Sequence, residues 1–410
     1  MKTRLLIITG LCLFAFKIAT AQSSVLLLDS VLANISRGNP ALLAYTAKTS
    51  AQNEYAKGAI NQDAPKVSAG QYQTPYSLRP NGGSFMIQAD QMITNAAKLK
   101  AKEAYLKGQS AVTEQEQNYL RNQLLSQARG YYYEEVIIAK KIIQLQNTRE
   151  TLEYMLKDAN IKLTYGKEKL SNIYKAKADL YELDNTREQL ENKRKQNTIM
   201  LNTLMNRSKN TVFAVDTNIL IKEYETSLID TAALAASRSD IKLIDRNIYL
   251  QHLNAEIEYN KRKPDFGLTA AHMLSYGGYP NQYILMASVT IPIVPWASKE
   301  YKANLKGIKY EVVQLQNEKQ DKLNQAEGQL ASTRLDIVST KKQLNNYQKN
   351  IIPAMLNSYK TALLAYEQNT GDLPSVLNAI KDLQAARMMM LDRLQDILQL
   401  QVVYERENEK

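Results

Sequence analysis

The chain is written twice, so whatever it folds into must be assembled from two matching halves. Residues 100 to 147 and 299 to 346 align without a gap at an offset of 199, and 13 of the 48 positions are identical. Ordinary residue usage gives about three or four chance matches over such a window. The identities include Leu106-Lys107-Gly108 with Leu305-Lys306-Gly307, Gln117-Asn118 with Gln316-Asn317, and Gln144-Leu145 with Gln343-Leu344. Pro65 answers Pro264 in the same register. A period near 200 residues is too long for a solenoid unit. It marks a duplicated, domain-sized element.

Glycine and proline show what each copy contains. No proline occurs between Pro80 and Pro264, and seven of the ten prolines fall in two patches, Pro65 to Gly83 and Pro264 to Pro295. Breakers concentrated in this way mark turns, and their absence elsewhere permits long helices. Inside the patches the apolar period is two. Tyr283, Leu285, Ala287, Val289, Ile291 and Ile293 share one face, and Phe266, Leu268, Ala270 and His272 alternate in the strand before them. Ser275-Tyr276-Gly277-Gly278-Tyr279 is the intervening turn. Lys66 to Tyr76 and Ser84 to Met92 form a weaker version around Pro80-Asn81-Gly82-Gly83. Each patch therefore reads as a β-hairpin, at about 65–92 and about 264–293. Strands of roughly 9–11 residues suit either a tilted bilayer crossing or a soluble sheet.

The flanks are helical. Leu323, Ala326, Leu330, Thr333, Ile337, Thr340, Leu344, Tyr347, Ile351 and Ala354 step by three and four without a slip, a repeat suited to coiled-coil packing. Leu124, Ala128, Tyr131, Ile138, Ile142 and Leu145 keep a similar rhythm in the first copy. A helix from about Thr94 to Leu163 would reach roughly 100 Å. Each long helix then turns, at a tip of about 164–170 in one copy and about 366–374 in the other. The returning helices run from Leu170 to Met205 and from Ser375 to about Tyr404. Thr211 to Ile229 lies within a linker of about 207–235. The chain thus divides into a first repeat, 22–206, that linker, and a second repeat, 236–410.

Residues 1–21 read as a leader. Lys2 and Arg4 precede the apolar run Leu5 to Phe16, and Ala19-Thr20-Ala21 fits a small-x-small cleavage site. The only cysteine, Cys12, falls inside that run, which leaves the exported part without a disulfide or a thiolate metal site. Removing Lys2, Arg4 and Lys17 lowers the formal charge from +11 to +8. The remaining bases are interleaved with acids, with no block of like charge, which argues against a nucleic-acid partner. Past the leader no run of 18 apolar residues occurs, so any membrane crossing must use strands. Four strands are too few to close a barrel, since the smallest membrane barrels have eight. Open strand edges are not tolerated in lipid, so several chains would have to pool their strands.

The duplicated hairpin-plus-helix units, the helix starts Asn39-Pro40 and Ser239-Asp240, and the tip Tyr366…Gly371-Asp372-Leu373-Pro374-Ser375-Val376-Leu377-Asn378-Ala379 resemble the TolC-type outer-membrane efflux proteins. The resemblance implies a mainly α fold with a small β part. Duplicated antiparallel helical hairpins would form an α-barrel wall, and four strands per chain would contribute to a trimeric 12-stranded transmembrane β-barrel. It further implies an outer-membrane location reaching into the periplasm, with outer-membrane lipid around the strands. The partners would be a periplasmic adaptor and an inner-membrane transporter in a tripartite efflux or type I secretion system. Conduction would be passive and without a cofactor. A periplasmic gate would lie on the helix returning from the second tip. There the usual acidic position is Asn378, with Ser375 one turn earlier, Lys381 at the usual basic position, and Asp372 and Asp382 nearby to supply charge. Tyr165, Gly166, Gly371 and Leu373 are the corresponding adaptor-docking candidates, and Tyr283 and Trp296 the membrane-interface aromatics.

Competing readings come from the residues. Met388-Met389-Met390 invites a copper site, but consecutive helical residues diverge by about 100° and suit packing better. His252 and His272 are isolated, and no acid pair, phosphate loop or nucleophile motif points to an enzyme. An exported coiled-coil scaffold would explain the heptads but not the two matched hairpins. A periplasmic adaptor would need one helical hairpin in a β-domain, not two equal copies.

Overall fold

The computed structural model describes residues 25–76, 82–224 and 230–409. The segment read as a leader, with Cys12, the Pro80-Asn81 part of the first turn, and residues 225–229 of the linker lie outside the described residues. In chain order the elements are β1 (Val25–Leu26), α1 (Leu28–Gly38), α2 (Pro40–Gly58), β2 (Lys66–Tyr72), β3 (Ser84–Ile93), α3 (Ala96–Thr164), α4 (Leu170–Leu204) and β4 (Ala214–Val215). There follow α5 (Thr231–Ser237), α6 (Ser239–Asn260), β5 (Phe266–Ser275), β6 (Gln282–Val289) and α7 (Pro295–Asn346). A π-helical turn (Tyr347–Ile351) leads into α8 (Ile352–Glu367), and α9 (Leu373–Asn408) ends the described chain. No helix among the described residues is long and apolar enough to cross a membrane. The fold is mainly α with a small β part.

The chain forms two compact units that cut across the two copies. One holds residues up to Asn39, Leu124–Thr226 and Arg334–Val403. The other holds Pro40–Gln123, Ser227–Thr333 and Tyr404 onward. Each unit therefore takes material from both halves of the duplication.

The second unit contains a four-stranded antiparallel sheet in the order β2-β3-β5-β6. Both expected hairpins form, and β3 joins them by pairing along its length with β5, from Ser84 opposite Ser275 to Ile93 opposite Phe266. The strands have 7, 10, 10 and 8 residues, so the outer two are shorter than expected. β2 stops at Tyr72 rather than Tyr76. β6 stops at Val289 and excludes Ile291 and Ile293. Thr290 still donates to the Asp265 carbonyl, at 2.9 Å, but Pro292 has no N–H with which to extend the ladder.

Because side chains alternate across a strand, the register assigns every residue to a face. One face carries Val67, Phe85, Ile87, Phe266, Leu268, Leu274, Tyr283, Leu285 and Val289, with no charged side chain. Most of these are exposed, Tyr283 at 82% and Leu285 at 75%. The opposite face holds both charges of the sheet, Lys66 and Asp90, paired in register, together with serines, glutamines, threonine and methionines. Asp90 accepts from Gln88 at 2.8 Å and from Thr269 at 2.6 Å.

Helices in this unit pack in register with the duplication. α2 lies along α3, with Lys48 bonded to Glu116 at 3.1 Å and Gln117 donating to the Leu42 carbonyl at 2.8 Å. α6 contacts both long helices: Leu250 and Leu253 cover Gly108 of α3, and Asp245 and Glu258 bond Lys319 and Asn304 of α7. A Cβ on Gly108 would stand 2.7 Å from Leu253. At the start of α6, Arg238 bridges Asp240 and Glu407, at 2.7 and 2.6 Å, while Ser239 donates to Glu409. This network ties the last turn of α9 to the second-copy helix start read from Ser239-Asp240.

In the first unit the 3.5-residue stripe of α7 is buried as read from Arg334 onward through Ile337, Thr340 and Leu344; Leu323, Ala326, Leu330 and Thr333 are buried on the same helix in the second unit. It then breaks. Tyr347 and Ile351 are only half-buried and Ala354 is exposed. The reason is Pro353, whose ring would collide with the carbonyl one turn back in a regular helix. The chain responds with a π turn in which the Ile352 amide reaches the Tyr347 carbonyl. A π turn inserts one residue, so the stripe resumes a position later, through Tyr359, Ala362 or Leu363, and Tyr366.

Two cores hold this unit. One packs Val31 and Ile35 of α1 and Phe213 beside β4 against Ala128, Tyr132, Val136 and Ile137 of α3, Leu201 of α4, and Leu398 of α9. Met388 and Met390 pack against it, and Met389 is exposed and accepts from the Tyr347 hydroxyl at 3.4 Å, so the three methionines fan out. Tyr132 and Tyr133 are buried edge to face, at 6.3 Å. The Tyr132 hydroxyl donates to the Leu26 carbonyl at 2.9 Å and accepts from the Asp216 amide at 3.2 Å, so one phenol ties both strands of the parallel β1–β4 pair at their C-terminal end. Tyr132→Phe strands a carbonyl and an amide, and should destabilise the protein by about 1–3 kcal/mol in denaturant unfolding. An unchanged unfolding midpoint would mean that water satisfies both groups.

Candidate functional site: the two helical tips

The two helix-to-helix turns of the first unit meet around a second core, and both end their helices by the same device. At α3 the Gly166 amide bonds the Leu163 carbonyl and the Lys167 amide bonds the Lys162 carbonyl, each at 2.9 Å, with Gly166 at φ +68°. This pair of bonds satisfies the last carbonyls of the helix and requires a left-handed residue. Nothing crowds Gly166, so its conformation alone calls for glycine. At α8 the left-handed residue is Asn369, at φ +56°, with the Thr370 amide bonded to the Ala365 carbonyl at 2.9 Å. Gly371 has a different task from Gly166. A Cβ there would stand 3.0 Å from the Ala365 Cβ, so its small size lets the chain double back against the helix end.

Asp372 then caps α9. Its carboxylate accepts from the Ser375 amide at 3.1 Å and from the Ser375 hydroxyl. These bonds to Ser375 hold the Asp372 carboxyl below its ordinary 3.8. Pro374 sits in the first turn, where its missing N–H costs nothing. Leu373 is fully buried among Ile173, Ala176 and Leu377, which removes it from the residues offered to a partner. Tyr165 is 76% exposed at the opposite tip.

Lys162 joins the tips. Its ammonium donates to the Tyr366 carbonyl at 2.9 Å and lies 3.5 Å from the centre of the Tyr366 ring. Tyr366 is itself buried, and burial together with the Asp158 and Glu168 carboxylates pushes its phenol up. No spacing rule finds this contact, because its partners are 204 residues apart. The only local hint is a basic residue in the last turn of a helix, where it complements the free carbonyls.

Beyond the cap, α9 shows two faces. Val376, Leu377, Ala379, Ile380, Leu383 and Ala386 are buried. Ser375, Asn378, Asp382, Ala385 and Met389 are exposed and follow one another at steps of three and four, a single stripe turned away from the core. Lys381 is not on it. Its ammonium is 2.6 Å from the buried Asp179 of α4 and 3.9 Å from Glu182. Among the gate candidates, therefore, Ser375, Asn378 and Asp382 share a face, Lys381 is held by α4, and Asp372 is held by the cap. In the other unit, Tyr283 opens β6 beside the hairpin turn, while the 80% exposed Trp296 lies in the first turn of α7, past the other end of that strand.

No family model and no curated protein matches the sequence. Solved structures do match. The chain superposes on the outer-membrane channel OprN with a TM-score of 0.76 at 14% identity, covering 93% of this chain and 89% of that one. CusC gives the same score and identity, with 93% and 91% covered. The outer-membrane protein VceC of Vibrio cholerae gives 0.73 at 13% identity, with 93% and 95% covered. The protein has the fold of these outer-membrane channel structures over nearly its whole length.

Asp372→Ala should cost about 1 kcal/mol of local stability at the head of α9. The Ser375 amide would then exchange about fivefold faster by hydrogen–deuterium exchange. Since the native carboxyl titrates below its ordinary value, this contribution is complete at neutral pH and fades as the pH falls below about 4. Equal exchange in the two proteins at pH 7 would contradict the cap.

Proposed function

We propose that this protein is the outer-membrane channel of a tripartite export system, conducting passively what an inner-membrane transporter and a periplasmic adaptor deliver. The observation that carries the reading is the sheet. Its outward face is apolar and free of charge, its other face is polar, and its edge strands β2 and β6 have no further partner among the described residues. A soluble sheet would bury the apolar face against helices, whereas a membrane barrel turns it to lipid. The likeness to outer-membrane channels supports the same reading, with the sheet in the outer membrane, Tyr283 and Trp296 at its two interfaces, and the helical hairpins in the periplasm.

The helices support self-association. α6 fills the space between α3 and α7, and α2 lies on α3 with Leu43 and Tyr55 of its remaining surface exposed. Gly307, the duplicate of Gly108, has open space before it, next to the exposed Tyr310 and Val313. Repeating the α6 arrangement would set α2 of a neighbouring chain against Gly307. With four strands per chain, a trimer closes a 12-stranded barrel. A coiled-coil scaffold would leave the charge-free sheet face without a role.

In such a trimer the Ser375, Asn378 and Asp382 stripe is proposed to line the bore, with Asp382 giving the acidic ring that Asn378 does not. The exposed tip residues Tyr165 and Gly166 are proposed to meet the adaptor. Reconstitution into planar bilayers tests the function. The account expects discrete, cation-preferring conductance, and Asp382→Asn should reduce the preference. Absence of conductance from correctly folded oligomer would contradict the channel.

Neighbouring residues on β6 test the membrane face. Leu285→Arg places a charge toward lipid at a cost of roughly 2–4 kcal/mol and should sharply lower the yield of heat-modifiable oligomer in outer-membrane fractions. Met286→Arg, one residue on and facing the polar side, should assemble normally. Equal yields would argue for a sheet outside the membrane.

A further inference from the structure

Beside the last turns of α4 and the segment that follows it lies an open groove of about 420 Å³. Its walls are apolar: Phe213 at the base, with Ile199 and Val212 exposed at 42% and 74%. Its rim is basic. Arg194 is committed, donating to the buried Glu135 at 3.0 Å, and Glu191, the one carboxylate on the rim, is held by Arg187 at 3.1 Å. Lys195 and Lys209 line the groove with no carboxylate partner among the described residues; Lys209 comes only within 3.5 Å of the Arg207 carbonyl.

A third cation, Arg207, lies against the Phe213 ring. The Arg207 amide closes the left-handed end of α4 on the Asn202 carbonyl at 3.0 Å, and its Nε donates to the Asn202 side chain at 2.5 Å. The guanidinium is thereby fixed 4.9 Å from the centre of the Phe213 ring. Its Nη2 is buried with no partner among the described residues, and burial pulls its pKa down. Arg207 as a whole is half-buried, so its unpaired side would gain from negative charge placed nearby. Exposed Val212 is unfavourable until covered.

We propose that this groove docks an acidic, amphipathic peptide segment of a partner protein. Its carboxylates would meet Lys195 and Lys209 and add negative potential near Arg207, while its apolar side chains cover Ile199, Val212 and Phe213. The groove combines exposed apolar side chains with cations, which fits an amphipathic peptide better than a single phosphate. The groove is distant in sequence from both tips, so this contact is separate from adaptor docking there. It stands whether or not the protein conducts.

The test uses the full protein in detergent and a fluorescein-labelled peptide in which Glu alternates with Leu, followed by anisotropy. Binding should saturate, weaken with added salt, and weaken about tenfold in Lys195→Gln/Lys209→Gln and several-fold in Val212→Ser. The Gln/Leu counterpart and polyglutamate should each bind at least about tenfold more weakly. All three substituted side chains are exposed, so thermal melting should be unchanged; if the double variant melts early, Lys195→Gln alone should still weaken binding. Equal binding of polyglutamate, or displacement by acidic muramyl glycan fragments, would make this a plain anion surface and overturn the proposal. So would no binding at all, including the case in which a neighbouring copy covers the groove.

Discussion

Every strand at the edge of a sheet leaves a row of N–H and C=O groups unpaired, and in hydrocarbon each of these costs several kcal/mol. The sheet β2-β3-β5-β6 has an apolar, charge-free face that suits lipid and two edges that lipid will not accept. In the proposed channel, closure between chains satisfies both. Much else follows from that constraint. A third of a barrel per chain would call for self-association, and on the proposed reading self-association accounts for the exposed apolar side chains on α2 and α7 and for the open space in front of Gly307.

The helical part meets a different demand. Long helices can remain in contact only while their apolar stripes stay in register, and the stripe of α7 does so from Leu323 to Leu344 with small polar residues admitted to the seam. Pro353 would end it. The π turn at Tyr347–Ile351 absorbs the proline by shifting the stripe one residue, and the shifted register delivers Tyr366 into the core beneath the tips. Tyr366 then receives Lys162 on its ring and carbonyl. A local backbone defect thus positions the contact that joins the two tips.

The periodic features were readable from the chain alone: the duplication, the hairpins in the two breaker-rich patches, the long helices, and the turns at Gly166 and before Ser375. Features that depend on a distant partner were not. Gly371 reads as a docking candidate from its place in the tip, yet its small size answers to the bulk of Ala365, while Asn369 supplies the left-handed residue. Leu373 is a docking candidate by resemblance, from its place in the tip, but it faces the core. Lys381 reads as a gate residue from its position on α9. Only its approach to Asp179 on α4 shows that its charge is already neutralised within the protomer. Alternation continues in the sequence to Tyr76 and Ile293, but the strands stop earlier because Gln73 turns left-handed, at φ +51°, and Pro292 has no N–H to donate.

The central claim is that β2 of one chain pairs with β6 of the next. The one native cysteine is Cys12, so the chain beyond it is free of thiols. Ser68→Cys on β2 can be combined in turn with Ile284→Cys, Met286→Cys and Ser288→Cys, which share its face of the sheet, and the proteins oxidised in outer membranes. The account predicts that at least one pairing gives a ladder of disulfide-linked species ending at the trimer. Species that stop at the dimer, or no cross-link in any pairing, would contradict closure of the barrel between three chains.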